Sequence, residues 1–294
     1  MNAKHVNKRW PWAALLLALA LTACYEPKEG CLDVGATNFE LDADKACTGC
    51  CVYPSLKLTL QHRMVYGDTS VNLVFLDSIY YDEGGHPFRI SGIRFYLSNL
   101  QLVRADGTAV GIEETVPVTV VFPDNTTEMI TVEDNFLLVN AGFTPSLTVG
   151  TFKQDGAFTK IRFTLGIEGQ VNRADPTAFA DDHPLAPQDD PMHWSIDSGY
   201  VFNQFRFLRD TTAADTIPTV VEIGMPAQLR TVELDIPAGY AVTEGFSTAI
   251  TLRIDYRQWL AGISHIKTAT LAELAEIIVN NVPQSFSVID IKKS

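Results

Sequence analysis

Apolar and polar residues alternate along much of this chain. Leu56, Leu58 and Leu60 are separated by polar residues, and His62 continues the apolar-facing phase. Alternation with this period is typical of a half-buried strand. Further strands are predicted at about 71–80, 88–104, 116–122, 129–139, 158–166, 200–208, 229–236, 246–256 and 284–291. Many short strands between turn residues indicate a sandwich or barrel, and we predict an all-β, Greek-key-like β-sandwich over residues 54–294.

One helix is predicted near the end of the sequence, at about residues 270–281. Its apolar face consists of Leu271, Leu274, Ile277 and Ile278. Thr268 or Thr270 can cap its start, and Glu273, three residues after Thr270, completes a capping-box pattern. Pro283 marks the stop. We expect this C-terminal helix to cover one end of the sheet core.

The first 23 residues differ in composition from the rest. A basic start precedes an apolar run that is too short for a stable membrane-spanning helix, and the run ends in Leu-Thr-Ala-Cys24. This order resembles the signal peptide and lipobox of bacterial lipoproteins, in which Cys24 carries lipid (palmitate) and becomes the mature N-terminus. Tyr25 follows Cys24 in place of Asp, so we expect a lipid-anchored protein of the outer membrane, on its periplasmic or cell-surface face. An uncleaved anchor helix is the alternative.

The charge of the chain limits its partners. The formal net charge is −13, and it becomes −16 without the three basic residues of the leader, which contains no acid. A strongly anionic protein repels phosphate backbones, so nucleic acid is not an expected partner. The same charge attracts cations or serves solubility alone.

A small cysteine-rich module is predicted between the lipid and the sandwich, at residues 24–53. It contains Cys31, Cys47, Cys50 and Cys51. Four cysteines in an oxidising compartment predict two disulfides. The pairing stays open, although the adjacent Cys50 and Cys51 are not expected to pair with each other. Zinc held by the four thiolates is the alternative, because Cys47-x-x-Cys50 has ligand spacing.

Oxygen side chains are frequent in the same module, at residues 33–44. They are Asp33, Asn38, Asp42 and Asp44. Such side chains suit Ca²⁺, which is a hard cation. They are also common turn formers, and we favour turns.

Rare side chains gather at residues 192–200, Met-His-Trp-Ser-Ile-Asp-Ser-Gly-Tyr. The polar, proline-rich run before them, residues 181–191, is predicted to be a surface loop. Trp194 and Trp259 are the tryptophans of the mature chain, and Trp259 lies at an apolar strand end typical of a core residue. In an extended strand, His193 and Trp194 would point to opposite faces unless a bulge or turn intervenes. A role for Trp194 as a hydrophobic anchor of a sheet edge is the plain alternative.

The sequence lacks the motifs of several enzyme classes. It contains no Gly-x-Ser-x-Gly, no Gly-rich phosphate loop followed by Lys, and no His-Glu-x-x-His. Acid pairs such as Asp181-Asp182 lie in polar loops, where a solvated face is the usual explanation. We therefore expect that the chain is not an enzyme. Imidazoles beside a methionine and an indole suit copper instead.

Several segments, in order, resemble the MbnP-like family. They are residues 80–90, 94–102, 161–167 with Asn172, and Met192-x-Trp194 leading to Gly199-Tyr200. The resemblance covers most of residues 55–291. It implies a secreted β-sandwich protein encoded beside a di-haem peroxidase-like partner, MbnH. That partner oxidises one tryptophan to kynurenine, and the modified residue takes part in binding copper.

The resemblance also implies which residues form the site. It places Trp194 as the oxidised residue and His62, at the end of the first strand, beside the copper. This chain has Glu222 where relatives tend to have the His of a His-Leu-Gly sequence. His193 or Met192 could replace that imidazole, so the predicted metal set is His62, His193 and Trp194.

A second hypothesis belongs to a different functional class. It is a metal-free surface binding or adhesion module that recognises protein or glycan through its loops. This hypothesis predicts an exposed patch around Phe179, Trp194 and Tyr200. It also predicts no stability gain on adding metal, whereas a ligand that binds only the folded state stabilises it.

Overall fold

The computed structural model describes residues 26–143, 146–211, 217–237 and 240–294. Cys24 and the leader predicted at residues 1–23 lie outside these described residues. No helix within the described ranges is long and apolar enough to cross a membrane.

Short strands make up most of the regular structure. In chain order they are β1 Glu29–Gly30, β2 Lys45–Ala46, β3 Ser55–Tyr66, β4 Thr69–Asn72, β5 Tyr80–Tyr81, β6 Pro87–Val103, β7 Ala109–Val110, β8 Thr115–Val121, β9 Thr127–Glu133, β10 Phe136–Asn140, β11 Leu147–Thr151, β12 Gly156–Ala157, β13 Lys160–Leu165, β14 His193–Ser195, β15 Gly199–Tyr200, β16 Asn203–Leu208, β17 Thr219–Ile223, β18 Arg230–Asp235, β19 Ala241–Val242, β20 Thr248–Asp255 and β21 Phe286–Lys293. The α-helices are α1 Tyr256–Trp259 and α2 Leu271–Asn281, and 3-10 turns occur at Gly169–Arg173, Pro176–Ala178, Pro226–Gln228 and Val282–Ser285.

Two main sheets organise these strands. The first sheet has the order β17-β16-β6-β13-β18, and β5, β7 and β10 also pair with β6. The second sheet has the order β11-β3-β20-β21, and β4 also pairs with β3. The pairing of β3 with β20 is parallel, whereas the other pairs of the second sheet are antiparallel. The hairpins β8-β9 and β14-β15 stand apart from both sheets.

The two sheets face each other across one hydrophobic core. Phe163 of the first sheet and Phe286 of the second have ring centroids 5.2 Å apart. Phe95 contacts both Phe286 and Trp259, at 6.4 and 5.6 Å. Alternating side chains of β3 and β20 are buried in the same core. The all-β sandwich predicted from the alternation is therefore confirmed.

The predicted C-terminal helix is also confirmed. Thr270 lies at its N-terminal cap, where the hydroxyl accepts a hydrogen bond from the backbone N–H of Glu273 at 3.2 Å. Leu274 and Ile278 are buried, whereas Leu271 is exposed. Trp259 is fully buried, as predicted, although it belongs to α1 and not to a strand end.

The strand predicted at 129–139 divides into β9 and β10. Asn135, between them, is buried, and its amide bonds both the N–H and the C=O of Leu100, at 3.1 and 2.8 Å. These bonds fix the point where the chain leaves the β8-β9 hairpin and joins β6. Strands β11 and β17 were not predicted.

The N-terminal module is closed by two disulfides, as predicted, and their pairing is Cys31–Cys51 and Cys47–Cys50. With all four sulfurs in disulfides, no thiolate remains for the alternative zinc site.

The oxygen side chains of this module serve local structure. Asp33 accepts from the N–H of Gly35 at 2.9 Å, and Asn38 bonds the backbone at Cys50 and Val52. Asp42 pairs with Lys28 at 2.9 Å. These contacts agree with turn formation, and Ca²⁺ binding at residues 33–44 stays a prediction.

Candidate functional site at the Trp194 hairpin

The Trp194 segment forms a small hairpin with an irregular register. His193 lies opposite Tyr200 and Ser195 lies opposite Gly199, so Trp194 is an extra residue in β14. A bulge of this kind breaks the strict alternation of side chains along a strand. The side chains of His193 and Trp194 nevertheless have different surroundings, because His193 lines a cavity with Tyr96 and Tyr200 whereas Trp194 contacts Glu222 and Gly224.

The return strand of the hairpin is fixed by Asn172. The side-chain oxygen of Asn172 accepts from the N–H of Tyr200 at 3.0 Å. Gly199 has φ +78°, and a Cβ there would lie 2.4 Å from the Asn172 amide nitrogen. Only glycine fits this close approach without strain. The fold thus brings together Asn172 and the Gly-Tyr pair, which are 27 or more residues apart in the sequence.

The indole of Trp194 lies at the surface but is held on both its edge and its face. It is 39% exposed, and its Nε1–H donates to Oε2 of Glu222 at 2.7 Å. The ring rests over Gly224, where a Cβ would come within 2.7 Å of Trp194 Cζ3. Glu222 lies in β17 and Gly224 follows the last residue of that strand, so the sheet edge determines the ring position.

A chain of polar contacts connects this edge to the preceding loop. Gln204 donates to Oε1 of Glu222 at 3.0 Å and accepts from Nε of Arg206 at 2.9 Å. Arg206 also donates to the carboxylate of Asp190 at 2.5 Å, and Arg94 donates to the Asp190 carbonyl at 2.6 Å. Asp190 is the last acid before the hairpin, so two arginines of the first sheet hold the loop against it.

His193 is half-buried beside Tyr200, with ring centroids 4.8 Å apart. Its Nε2 is buried and has no hydrogen-bond partner among the described residues. Burial lowers the pKa of His193, and the nearby charge of Asp175 opposes this shift. The imidazole is therefore neutral at pH 7 and offers a nitrogen lone pair.

An open cavity of about 550 Å³ adjoins this imidazole. Its lining includes Met192, His193, Asp175 and the rings of Tyr96 and Tyr200. Burial raises the pKa of both tyrosines well above the usual value, so they remain neutral phenols. The Tyr96 hydroxyl donates to the Pro184 carbonyl at 3.0 Å.

His62 lies in the second sheet, in β3, whereas the hairpin adjoins the first sheet. Its Nδ1 is 2.6 Å from the hydroxyl of Tyr256, and the two rings stack at 5.6 Å. Burial lowers the pKa of His62 to about 4, so this imidazole is also neutral at pH 7. The fold places His193 and Trp194 in one hairpin, whereas His62 contacts Tyr256 at the second sheet.

The remaining histidines of the described ranges have carboxylate partners. His86 pairs with Asp82 at 3.1 Å, and His265 pairs with Glu273 at 2.9 Å. His183 pairs with Asp134 at 2.9 Å and stacks on a phenylalanine. Across the described ranges, the one group of three His, Cys, Asp or Glu side chains close enough to share an ion is that of Cys47, Cys50 and Cys51.

The prediction of an exposed patch around Phe179, Trp194 and Tyr200 was wrong. Phe179 is 9% exposed and stacks on His183 at 4.4 Å, and Tyr200 is 1% exposed and packs edge-on against Tyr96. Trp194 is the exposed member of the three. Glu222 stands where relatives tend to have His, and its contact with Trp194 was not predicted from the sequence.

Comparison with known proteins places this chain in a family. A search of curated proteins found no match. A solved structure, MbnP from Methylosinus trichosporium, is similar to the chain with a TM-score of 0.38 and 15% identity, over 70% of this chain and 76% of that one. The model of the MbnP family matches residues 53–279, which is well over half of the 294 residues. The chain therefore belongs to the MbnP family.

Proposed function

We propose that this protein is a lipid-anchored MbnP-type envelope protein that binds copper beside Trp194 after a di-haem partner has oxidised that residue to kynurenine. Under this proposal the chain is the target of the oxidation and is not itself an enzyme. The observation that supports it best is the position of Trp194, which is exposed to a partner and adjacent to an imidazole with an unpartnered nitrogen.

The donor atoms near Trp194 suit copper in chemical type. His193 offers a neutral ring nitrogen, and the thioether of Met192 lines the same cavity. Imidazole suits copper, and thioether sulfur suits Cu(I). Among the described residues, no group of three His, Cys, Asp or Glu side chains occurs here. The unmodified hairpin is therefore short of ligands, which is why we assign copper binding to the oxidised form.

Oxidation of the indole would supply the missing donors. Two peroxide molecules would each give one oxygen atom and leave as water; one oxygen atom ends on C2 and the other on C3 of the indole, and the C2–C3 bond breaks. Water then releases C2 as formate, which leaves an aryl amine and a ketone on the former Trp194 side chain. Both groups are polar and lie on the residue next to His193. His62 could join the site only if copper binding draws on the second sheet, where it now contacts Tyr256.

The proposed location of the protein rests on the lipobox-like sequence that ends at Cys24. Lipid on Cys24 would tether the domain to the outer membrane through the cysteine-rich module. Tethering would keep the exposed indole in the compartment where a secreted di-haem partner operates.

The test uses protein purified from its native host. We expect a Trp194 peptide with the mass of kynurenine, together with near-stoichiometric copper by elemental analysis of the same sample. Trp194→Phe and His193→Asn should each lose copper, and His265→Asn, a matched change at an imidazole paired with Glu273, should retain it. Unmodified Trp194 in protein that retains no copper, from cells that contain the partner, would reject the proposal.

A further inference from the structure

The two tryptophans of the domain donate to different kinds of acceptor. Nε1–H of Trp194 donates to the carboxylate of Glu222 at 2.7 Å. Nε1–H of Trp259 donates to the hydroxyl of Ser285 at 2.9 Å, and that hydroxyl donates to the Val282 carbonyl at 2.7 Å. One indole is 39% exposed and the other is fully buried.

This difference matters when an indole loses an electron. The resulting radical cation is a much stronger acid than the neutral indole, so its N–H proton moves to a base if one is in contact. A carboxylate can take that proton, whereas a serine hydroxyl that already donates to a carbonyl is a poor base. At Trp259 the positive charge would stay in the apolar core, where an uncompensated charge is costly.

The surroundings of Glu222 favour its acting as the base that takes the indole proton. Gln204 donates to Oε1, which leaves Oε2 facing the indole, and Arg206 holds the Gln204 amide in that orientation. Gly224 has no side chain to lift the ring from the sheet edge. The acceptor oxygen is therefore already in place before the electron leaves.

We infer that Glu222 is the proton acceptor that makes Trp194, and not Trp259, the first tryptophan of this domain to be oxidised. A one-electron oxidant, such as a high-valent haem or a photogenerated ruthenium(III) complex, removes one electron from the indole. The Nε1–H bond breaks, and its proton forms an O–H bond with Oε2 of Glu222. The products are a neutral indolyl radical, a protonated Glu222 and the reduced oxidant. The inference rests on the proposed oxidation of Trp194 and names the residue that prepares it.

The test needs neither the partner nor copper. Purified protein is oxidised with a ruthenium tris-bipyridine complex and persulfate under light, and oxidation of the Trp194 and Trp259 peptides is followed by mass spectrometry. We expect Trp194 to react first. Glu222→Gln should slow its oxidation about fivefold, because it removes a charge-assisted contact at an exposed position. Glu128→Gln, the same change at an exposed position on β9, should have no effect.

Further measurements separate proton transfer from simple positioning. An amide oxygen can still accept from the indole, so acrylamide quenching of Trp194 fluorescence should be unchanged in Glu222→Gln. Flash photolysis should show the neutral radical in the wild type and a longer-lived cation radical in this variant, since the two absorb at different wavelengths. In Glu222→Ala, added acetate should restore the rate. An unchanged rate and the same neutral radical in Glu222→Gln would overturn the inference.

The outcome is separable from that of the proposed function. Unmodified Trp194 in the native host would reject the partner reaction but leave the photochemical preference intact. Equal photochemical oxidation of Trp194 and Trp259 would reject the role of Glu222 but leave the partner reaction open to the mass measurement.

Discussion

Replacing Gly224 with alanine tests how the sheet edge holds Trp194. The added Cβ would lie 2.6 Å from the backbone carbonyl oxygen of Tyr200 and 2.7 Å from Cζ3 of Trp194. The carbonyl belongs to a hairpin strand and cannot retreat easily, so the backbone at residue 224 must shift away from it and the indole that rests there must move. Its movement breaks the contact with Glu222.

The expected size of the effect follows from three contributions. Overpacking of this kind costs about 1–3 kcal/mol, and the lost hydrogen bond costs about 0.5–1.5 kcal/mol. Replacing glycine restricts the unfolded chain and returns about 0.4–1 kcal/mol. Gly224→Ala should therefore lower the free energy of unfolding by about 0.5–4 kcal/mol and make Trp194 more accessible.

The assay is urea unfolding followed by circular dichroism, with acrylamide quenching of tryptophan fluorescence in the native state. Gly92→Ala is the matched control, because its Cβ would meet only Arg206 side-chain atoms, at 3.7 and 3.9 Å. It should be neutral or slightly stabilising. If Gly224→Ala were as stable as Gly92→Ala and its quenching matched the wild type, the described contact between Trp194 and Gly224 would be wrong.

Two further predictions concern the core and the helix. In metal-free protein, burial lowers the pKa of His62 from 6.5 in the unfolded chain to about 4 in the folded chain. The stability that the neutral imidazole contributes is therefore lost as pH falls. Between pH 7 and 4.5 this loss of unfolding free energy is about 2–3 kcal/mol. The variant His62→Asn, which can still meet the Tyr256 hydroxyl, should not show this loss when urea unfolding is measured at the two pH values. An equal loss in both proteins would contradict the lowered pKa of His62. Thr270→Ala removes the hydrogen bond to Glu273 and should cost about 1 kcal/mol by thermal or urea unfolding. Thr268→Ala, outside the cap, should stay within about 0.5 kcal/mol of the wild type, and an equal effect of both changes would exclude a capping role.

Local patterns predicted much of the fold. Alternation from Leu56 to His62 predicted β3, and the Thr270 pattern predicted the cap of α2, because both depend on neighbouring residues. The break at Asn135 was not predictable, since it depends on bonds to Leu100, 35 residues earlier. The pairing of the cysteines likewise depends on three-dimensional proximity that spacing does not determine.

The site, too, was predictable where it depends on neighbouring residues and not where it depends on distant ones. The rare residues around Trp194 marked the hairpin, and the need for a bulge followed from alternation alone. The role of Glu222 was not predictable, because it depends on the register that places Gln204 opposite Glu222. That register also depends on β17, a strand that the local pattern of residues did not predict.

The parallel pairing of β3 with β20 has a consequence for how the chain folds. Ser55 at the start of β3 donates from its N–H to the hydroxyl of Ser247, 192 residues later. Contacts this distant in sequence require a large loop to close and slow the folding of a domain. During synthesis, the edge of β3 that joins β20 stays unpaired until β20 has been made, and an unpaired strand edge is prone to aggregate. A chaperone that shields residues 55–66 should therefore raise the yield of this domain more than one that acts on its C-terminal helix.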